Sequence, residues 1–480
     1  MSNYELEHKL EHVYTLRNLA TLVREPVNLK NYQKMLDTQQ RKIHELMVAA
    51  YEIPFYRARF EQSGTTPDDY HNAQDLYKFP LLTKDELREW MDHEAQSDPE
   101  KYKYWHVSPT SGSTGKPLRV LVSPKENAWA TANWLRVLSL PGFNPFTGKT
   151  MCRPNSLHGP VKPTDSPVQK LGILRRHYMS DTIKMRVDTQ TLIDEINAYE
   201  PGYLYNHKNV LVRIAKYVKE NNVYLWKPDF YTPFGEMMDE PSRQLLTEVF
   251  GPGLVDAYGM SEVGSCAVRI PTKRYYQINS DTHVVNIYSR DLKEPAMKGP
   301  AVITPLWKTE LPIINYISGD SMDTYFRKGL RFARAVQGRS NDIIHHRDGS
   351  VTEWGNVSGI LNWVPEVVQY RMIQENYDDL TLLMVRNPDV PEEKQPEIEA
   401  FLTEKFDAMF KDSFNYIYKW VDEIPADPSG KLRLLISRLE PEQKKEDVDA
   451  AEIDTAEAAP AEAAPAEAAP AEAAAEHAEA

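Results

Sequence analysis

The stretch "TSGSTGKP", residues 110–117, decides how the chain is read. Glycines, hydroxyl residues and a lysine in a row mark a loop built to hold phosphate. A Walker A loop requires Gly, four residues, then Gly-Lys-Ser/Thr opening a helix. Here the pair Gly115-Lys116 would need a glycine at 110, where Thr110 stands, and Lys116 is followed by Pro117. No Gly-x-Gly-x-x-Gly fingerprint is present either, so the loop is neither a P-loop nor a dinucleotide turn. Its candidate ligands are Thr110, Ser111, Gly112, Ser113, Thr114, Gly115 and Lys116.

Working outward, the texture on both sides of the loop is extended. "YKYWHVSP" precedes it and "LRVLVSP" follows it, which predicts a hairpin. Residues 1–95 are mostly helical by pattern, with Met35, Ile43, Leu46 and Met47 recurring at helical spacing. Beyond the hairpin, strand-like "LVDAYG" and "PAVITPL" alternate with helical "TQTLIDEINAY" and "KNVLVRIAKYVKENN", which predicts an α/β body. A second change comes at "AVQGRSNDIIHHRDGSV". After it, the strand "YDDLTLLMVRN" and the amphipathic helix "PEEKQPEIEAFLTEKFDAMF" predict a small α+β domain, with Gly338 as the expected hinge point. The expected division is therefore 1–337, 338–440 and a tail, 441–480.

The 480 residues suffice for substantial cores. No run approaches ~20 uninterrupted apolar residues, so no membrane span is expected. The N-terminal "MSNYELEHKLEHVYTLRNL" lacks an apolar signal core. Cys152 and Cys266 are the only cysteines, too few for a disulfide framework or a cysteine-rich zinc site. These features predict a cytoplasmic enzyme. The net charge of -14 is concentrated at the end: residues 441–480 hold 12 acidic and 2 basic residues, leaving -4 for the rest. A body so close to neutral has no nucleic-acid footprint. The tail repeats Glu, Ala and Pro without aromatic or large aliphatic residues. It cannot bury enough surface to offset ordering entropy, which predicts a solvated segment.

Further polar segments follow the first loop. "YGMSE" (258–262) ends an apolar run. At the carboxyl end of a parallel strand Glu262 would face a crevice and suit Mg²⁺, and it reads equally as a surface helix cap. "YISGDSM" (316–322) places Asp320 in a turn, where it could accept ribose hydroxyls or simply shape the turn. "GRSNDII" (338–344) offers Arg339 as an anion or hydroxyl ligand, and "DPSGKLRL" (427–434) presents Lys431 on a turn.

Order and spacing add what no single motif carries. Glycine–hydroxyl–lysine loop, Tyr-Gly-x-Ser-Glu, Gly-Asp, Gly-Arg and a late Gly-Lys together resemble the adenylate-forming superfamily of acyl-CoA synthetases, luciferases and adenylation domains. "PFYRARFEQSG…FPLLTKDELRE" and "RDGSVTEWGNVSGILNWVPEVVQYRMIQE" are most similar to its phenylacetate–CoA ligase branch, a form shared by relatives of capsule biosynthesis. The likeness covers roughly residues 45–440.

That resemblance implies a large multi-layer α/β N-terminal domain and a small mobile α+β C-terminal lid. It implies ATP-dependent, AMP-forming activation of a carboxylic acid, an aryl acid favoured, followed by transfer to coenzyme A. The partners implied are ATP, Mg²⁺, coenzyme A and the acid, with a homodimer as candidate assembly and no membrane or nucleic-acid partner. An adenylating enzyme with a non-coenzyme A acceptor, of the deazaflavin or capsule type, is the alternative. Carried over by position, the 110–116 loop closes on the β- and γ-phosphates through amides and hydroxyls, which needs no Walker helix. "FGE" (234–236), hence Gly235 and Glu236, lies under the adenine, and Tyr258, with Gly259 and Ser261 beside it, packs against it. Glu262 binds Mg²⁺, Asp320 and Arg339 hold the ribose, and Lys431 bridges carboxylate, ribose and α-phosphate. The hinge position is Asn341, where the family usually has Asp. Asn315 stands where an Arg usually precedes the Gly-Asp tyrosine.

Overall fold

A computed structural model describes residues 3–24, 31–110, 118–153, 175–180, 188–339, 343–361, 364, 366–387, 390–411, 413–424 and 434–439. The tail 441–480 lies outside the described residues, as do most of the phosphate loop, Asn341 and Lys431.

The N-terminal helices form where the periodicity places them: α1 (Asn3–Arg24), α2 (Tyr32–Tyr51), α3 (Pro54–Ser63) and α4 (Lys84–Ser97). In α2 the buried stripe is Met35, Gln39, Ile43, Leu46, Met47 and Ala50, one face at helical spacing. The start of α4 is fixed by a reciprocal cap. The Thr83 side chain accepts from the Glu86 N–H, and the Glu86 carboxylate accepts from the Thr83 N–H. After the one-turn α5 (Pro99–Tyr102) come β1 (His106–Thr110) and β2 (Leu118–Val122), antiparallel with Thr110 opposite Leu118. The expected hairpin therefore closes directly on the 111–117 loop. Next, α6 (Pro124–Ser139) starts with the same cap from Ser123 and Glu126, and Pro124 occupies its first turn.

Two sheets make the body. A parallel sheet of order β4-β3-β5-β6 is formed by β3 (Thr150–Cys152), β4 (Arg176–Tyr178), β5 (Tyr203–His207) and β6 (Phe230–Phe234). The helices α7 (Thr189–Tyr199), α8 (Lys208–Asn221) and α9 (Glu240–Phe250) share a core with it through Leu192, Ile196, Leu204, Ile214 and Leu246. The second sheet has seven strands, all antiparallel, in the order β10-β11-β12-β13-β9-β8-β7. These strands are β7 (Asp256–Met260), β8 (Gly264–Arg269), β9 (Tyr276–Ile278), β10 (His283–Ile287), β11 (Lys298–Pro305), β12 (Tyr316–Arg327) and β13 (Leu330–Arg339). The expected α/β alternation thus covers only the first sheet. The strand-like runs from 254 onward pair antiparallel instead, with sequence neighbours except where β13 meets β9, because no helix long enough for a parallel crossover separates them. A parallel bridge between Tyr231 and Leu254 joins the two sheets.

The C-terminal part has its own core. Past the β14–β15 hairpin (Ile343–His345, Val351–Glu353) and α10 (Trp354–Leu361), β16 (Val367–Gln374) pairs antiparallel with β17 (Asp379–Arg386). The strands β18 (Asn415–Trp420) and β19 (Leu435–Ser437) add in parallel, and α11 (Gln395–Phe410) packs Leu402, Phe406 and Phe410 against Met372, Leu382 and Met384. This is the expected small α+β unit.

Candidate active site

Tyr258, Glu262, Asp320 and Arg339 are far apart in sequence, and the antiparallel sheet gathers them. The Tyr258 hydroxyl donates to Asp320 Oδ2 at 2.7 Å. Burial, with the Asp320 carboxylate beside it, raises the Tyr258 phenol well above its ordinary value, so it remains a donor. Asp320 faces Arg339 directly across the β12–β13 ladder. Asp320 is not in a turn, as its Gly-Asp context predicts. It sits inside the twelve-residue β12, where Gly319 takes φ +81° and the register shifts between Asp320 and Ser321. A glycine at positive φ within a strand makes a bulge, which re-aims the next side chain.

Glu262 occupies the β7–β8 turn at the edge of this antiparallel sheet, so the parallel-strand argument for it does not hold. It is no surface helix cap either, being only 5% exposed. Its Oε1 accepts from the Tyr316 hydroxyl at 3.0 Å and lies 4.0 Å from Lys84 Nζ. The turn is tight: a Cβ at Gly259 would meet the Gly264 carbonyl oxygen at 2.4 Å. Behind it the fully buried His283 donates from Nε2 to the Val263 carbonyl at 2.8 Å, with Thr282 Oγ1 3.0 Å from Nδ1. Burial pushes this imidazole down to about 4, so it stays neutral. Lys84, Tyr316 and His283 escaped the sequence reading. Their pairings span long stretches of chain and leave no local signature.

Asn315, one of the departures noted above, has a structural reason. It is buried at φ +52°, a left-handed position that Asn tolerates and most residues do not. Its amide donates to the Leu76 and Phe79 carbonyls at 2.6 and 2.8 Å. The neighbouring Leu82 then pairs in parallel with Tyr316.

The adenine segment follows the other sheet. Phe234 ends β6, and Gly235 follows at φ +86°. Tyr205 stacks on Phe234 at 4.2 Å and 12°, and the Arg153 guanidinium lies 5.0 Å over the same ring. Of the aromatic residues between 129 and 234, Tyr203 and Tyr231 are fully buried core, whereas Trp134 and Tyr205 line a cavity of about 300 Å³. The remaining predicted residues Ser111, Gly112, Ser113, Thr114, Gly115, Lys116, Asn341 and Lys431 are outside the described residues. Among the described residues one His/Glu group could hold a metal ion, His8, Glu11 and His106, and it lies on α1 and β1 rather than at Glu262.

Comparisons with known proteins bear on the sequence and the fold. The family model described as the CapK C-terminal domain matches residues 344–438. Protein CapK of Staphylococcus aureus is 24% identical over 292 residues, covering 57% of this chain and 60% of CapK. The phenylacetate-coenzyme A ligase of Thermus thermophilus is 24% identical over 370 residues, covering 71% of this chain and 78% of that one. That of Escherichia coli is 24% identical over 346 residues, covering 67% and 74%. Among solved structures, a 2-hydroxyisobutyryl-CoA ligase in complex with 2-HIB-AMP superposes with a TM-score of 0.64 at 16% identity, covering 83% of this chain and 88% of that one. An anthranilate CoA ligase superposes at 0.51 and 15%, covering 68% and 65%. No described helix is long and apolar enough to cross a membrane. Over most of its length this chain is thus similar in sequence to phenylacetate-coenzyme A ligases, and its fold is that of the adenylate-forming ligases.

Proposed function

We propose that the chain is an ATP-dependent, AMP-forming carboxylic acid–coenzyme A ligase. The observation that carries this reading is the Tyr258–Asp320 hydrogen bond opposite Arg339, with Glu262 tied to the same strand β12 through Tyr316. A ribose diol is held by such a carboxylate acceptor, and Arg339, at the paired backbone position, is assigned as the donor to it. The acid carboxylate attacks the α-phosphorus of ATP, the bond to pyrophosphate breaks, and an acyl-adenylate forms. The coenzyme A thiol then attacks the acyl carbon, loses its proton and releases AMP. Positioning and charge stabilisation do most of this work.

Glu262 is the residue that would hold Mg²⁺. It is a hard oxygen donor with one oxygen fixed by Tyr316, and an arriving cation would compete with the Lys84 ammonium for it. The metal would neutralise charge on the phosphates. The 110–116 loop is assigned to the β- and γ-phosphates, Gly235 and Glu236 to the adenine, and Lys431 to the α-phosphate. The domain boundary at 338 and the hinge at Asn341 belong to the same proposal, as does a cytoplasmic setting where ATP and coenzyme A are supplied. The match to the CapK C-terminal domain favours a second reading, adenylation with another acceptor.

A pyrophosphate-release screen over a carboxylic-acid panel, with and without coenzyme A, tests the proposal. Release with coenzyme A consumed supports the ligase. Release without its consumption moves the chain to the second reading, and no release with any acid removes both. Lys431→Ala should slow acyl-adenylate formation by about 10²–10³-fold while preformed adenylate still yields thioester. Equal loss of both steps would end the rotating-lid account.

A further inference from the structure

The two halves of α1 are held to the body by different means. The second half packs by apolar burial, with Leu19 and Leu22 sharing a core with Ala132, Leu135 and Leu138 of α6. The first half relies on polar contacts. Glu7 pairs with Lys125 at 2.7 Å. One turn on, Glu11 meets two elements at once: its Oε1 accepts from the Asn127 amide of α6 at 2.6 Å, and its Oε2 lies 2.7 Å from His106 Nε2 on β1. A second imidazole faces that same Oε2, His8 Nδ1 at 3.9 Å. The rings of His8 and His106 are 5.8 Å apart and tilted by 46°.

This grouping exceeds what a hydrogen bond requires, since Glu11 and His106 hold each other without His8. His8 and Glu11 share one helix face through their i, i+3 spacing, the spacing of paired carboxylate and imidazole ligands in helical metal sites. His106 joins them from 95 residues away in sequence. One donor atom of each residue lies within 4.8 Å of the other two. A tetrahedral ion with bonds of about 2.0 Å sets its ligands roughly 3.3 Å apart. His8 is half exposed, so rotation of its side chain supplies the difference, while Glu11 and His106 are mostly covered and already touch. Asn127 acts as the outer partner: it fixes one carboxylate oxygen and leaves the other turned to the imidazoles. With both facing nitrogens deprotonated, three lone pairs converge on one point, which a cation answers. Two imidazoles with a carboxylate suit zinc and its neighbours, whereas Mg²⁺ and Ca²⁺ prefer oxygen alone.

We infer that His8, Glu11 and His106 form a binding site for a divalent transition-metal ion of the zinc class, which pins the first half of α1 to β1. The inference is independent of the ligase reading and concerns residues other than Glu262. Three protein ligands leave the fourth position of a tetrahedral ion to water.

Zinc titration calorimetry on the full, untagged chain, stripped with chelator beforehand, should show one saturable equivalent that excess Mg²⁺ does not displace. Cobalt in its place should give the visible absorption bands of a tetrahedral ion. His106→Ala and Glu11→Gln should each abolish this binding, and Asn127→Leu, which keeps all three ligands, should weaken it about 10–100-fold. Zinc should raise the urea midpoint of the parent and leave that of His106→Ala unmoved, because an ion bound only by the folded chain stabilises it. Should His106→Ala fail to fold by circular dichroism, the half-exposed His8 decides. His8→Ala should weaken zinc binding at least about tenfold, with its urea midpoint in chelator equal to the parent's. Absence of zinc and cobalt binding by the parent overturns the inference and leaves the three residues a hydrogen-bonded clasp. Binding that His8→Ala leaves unaltered overturns it too, because the ion then sits elsewhere.

Discussion

The two sheets of the body hold their functional groups in opposite ways. In the antiparallel sheet, Tyr258 is pinned to Asp320, Glu262 to Tyr316, the Val263 carbonyl to His283, and Asn315 to two carbonyls of the preceding segment. Even the cap of α6 is locked there: Glu126 pairs with the fully buried Lys308 at 3.1 Å. In the parallel sheet, Arg153 and Arg176 lie on ring faces at the cavity, and Arg176 is only partly buried. The difference teaches how each sheet fixes its polar side chains. The face assigned to the nucleotide is built from cross-strand register and buried hydrogen bonds, which tolerate little change. The cavity at Trp134 and Tyr205 is lined by side chains near strand ends, which can be exchanged without disturbing the ladder.

The comparison breaks most sharply at Asp320. Asp320→Ala removes the partner of Tyr258 and the residue facing Arg339, and should lower ATP–pyrophosphate exchange by about 10²-fold or more, in line with loss of a preorganised polar contact. Unchanged exchange would show that the register is architectural only. Next comes Asn315. Alanine there takes the side-chain donor from the Phe79 carbonyl, removes one of two donors to the Leu76 carbonyl, and puts a residue that tolerates φ +52° less well than Asn at that position, at about 2–3 kcal/mol in all. Asn315→Gly should lose about 1 kcal/mol less, since glycine accepts the conformation, and urea unfolding of both variants measures the gap.

His283 gives a smaller, pH-dependent effect. Its pKa falls from 6.5 when unfolded to about 4 in the fold. The unfolded chain therefore binds the extra proton first, and stability is lost as pH drops from 6.5 towards 4, by on the order of 2–3 kcal/mol. His283→Gln should flatten that slope in urea titrations across the same window. Last is Arg176→Gln, whose pair with Trp134 is worth under about 1 kcal/mol to the fold. A stability loss as large as that of Asn315→Ala would erase the contrast between the sheets.

Much of the architecture was legible. The α2 stripe and the hairpin on either side of residues 111–117 follow local rules and were read, whereas the reciprocal caps at Thr83 and Ser123 obey equally local rules and went unread. The antiparallel surroundings of "YGMSE" were not legible, because a short apolar run looks the same in either kind of sheet. "SGD" was misread as a turn, since Gly319 at positive φ suits a turn and a bulge alike, and only the β12–β13 pairing distinguishes them. The arginine cavity had no motif at all. Arg153 and Arg176 come to line one cavity through the parallel pairing of β3 with β4, a fact of topology rather than of spacing.

The parallel pairing of Leu82 with Tyr316 also sets a clock on biosynthesis. Tyr316 is made 234 residues after Leu82, which at about 5–20 residues per second is on the order of 10–50 s. Until then Leu76, Phe79 and Leu82, all buried in the finished protein, have no β12 to cover them. The nascent chain must carry that apolar surface through about half of its own synthesis, an interval in which a ribosome-bound chaperone would act.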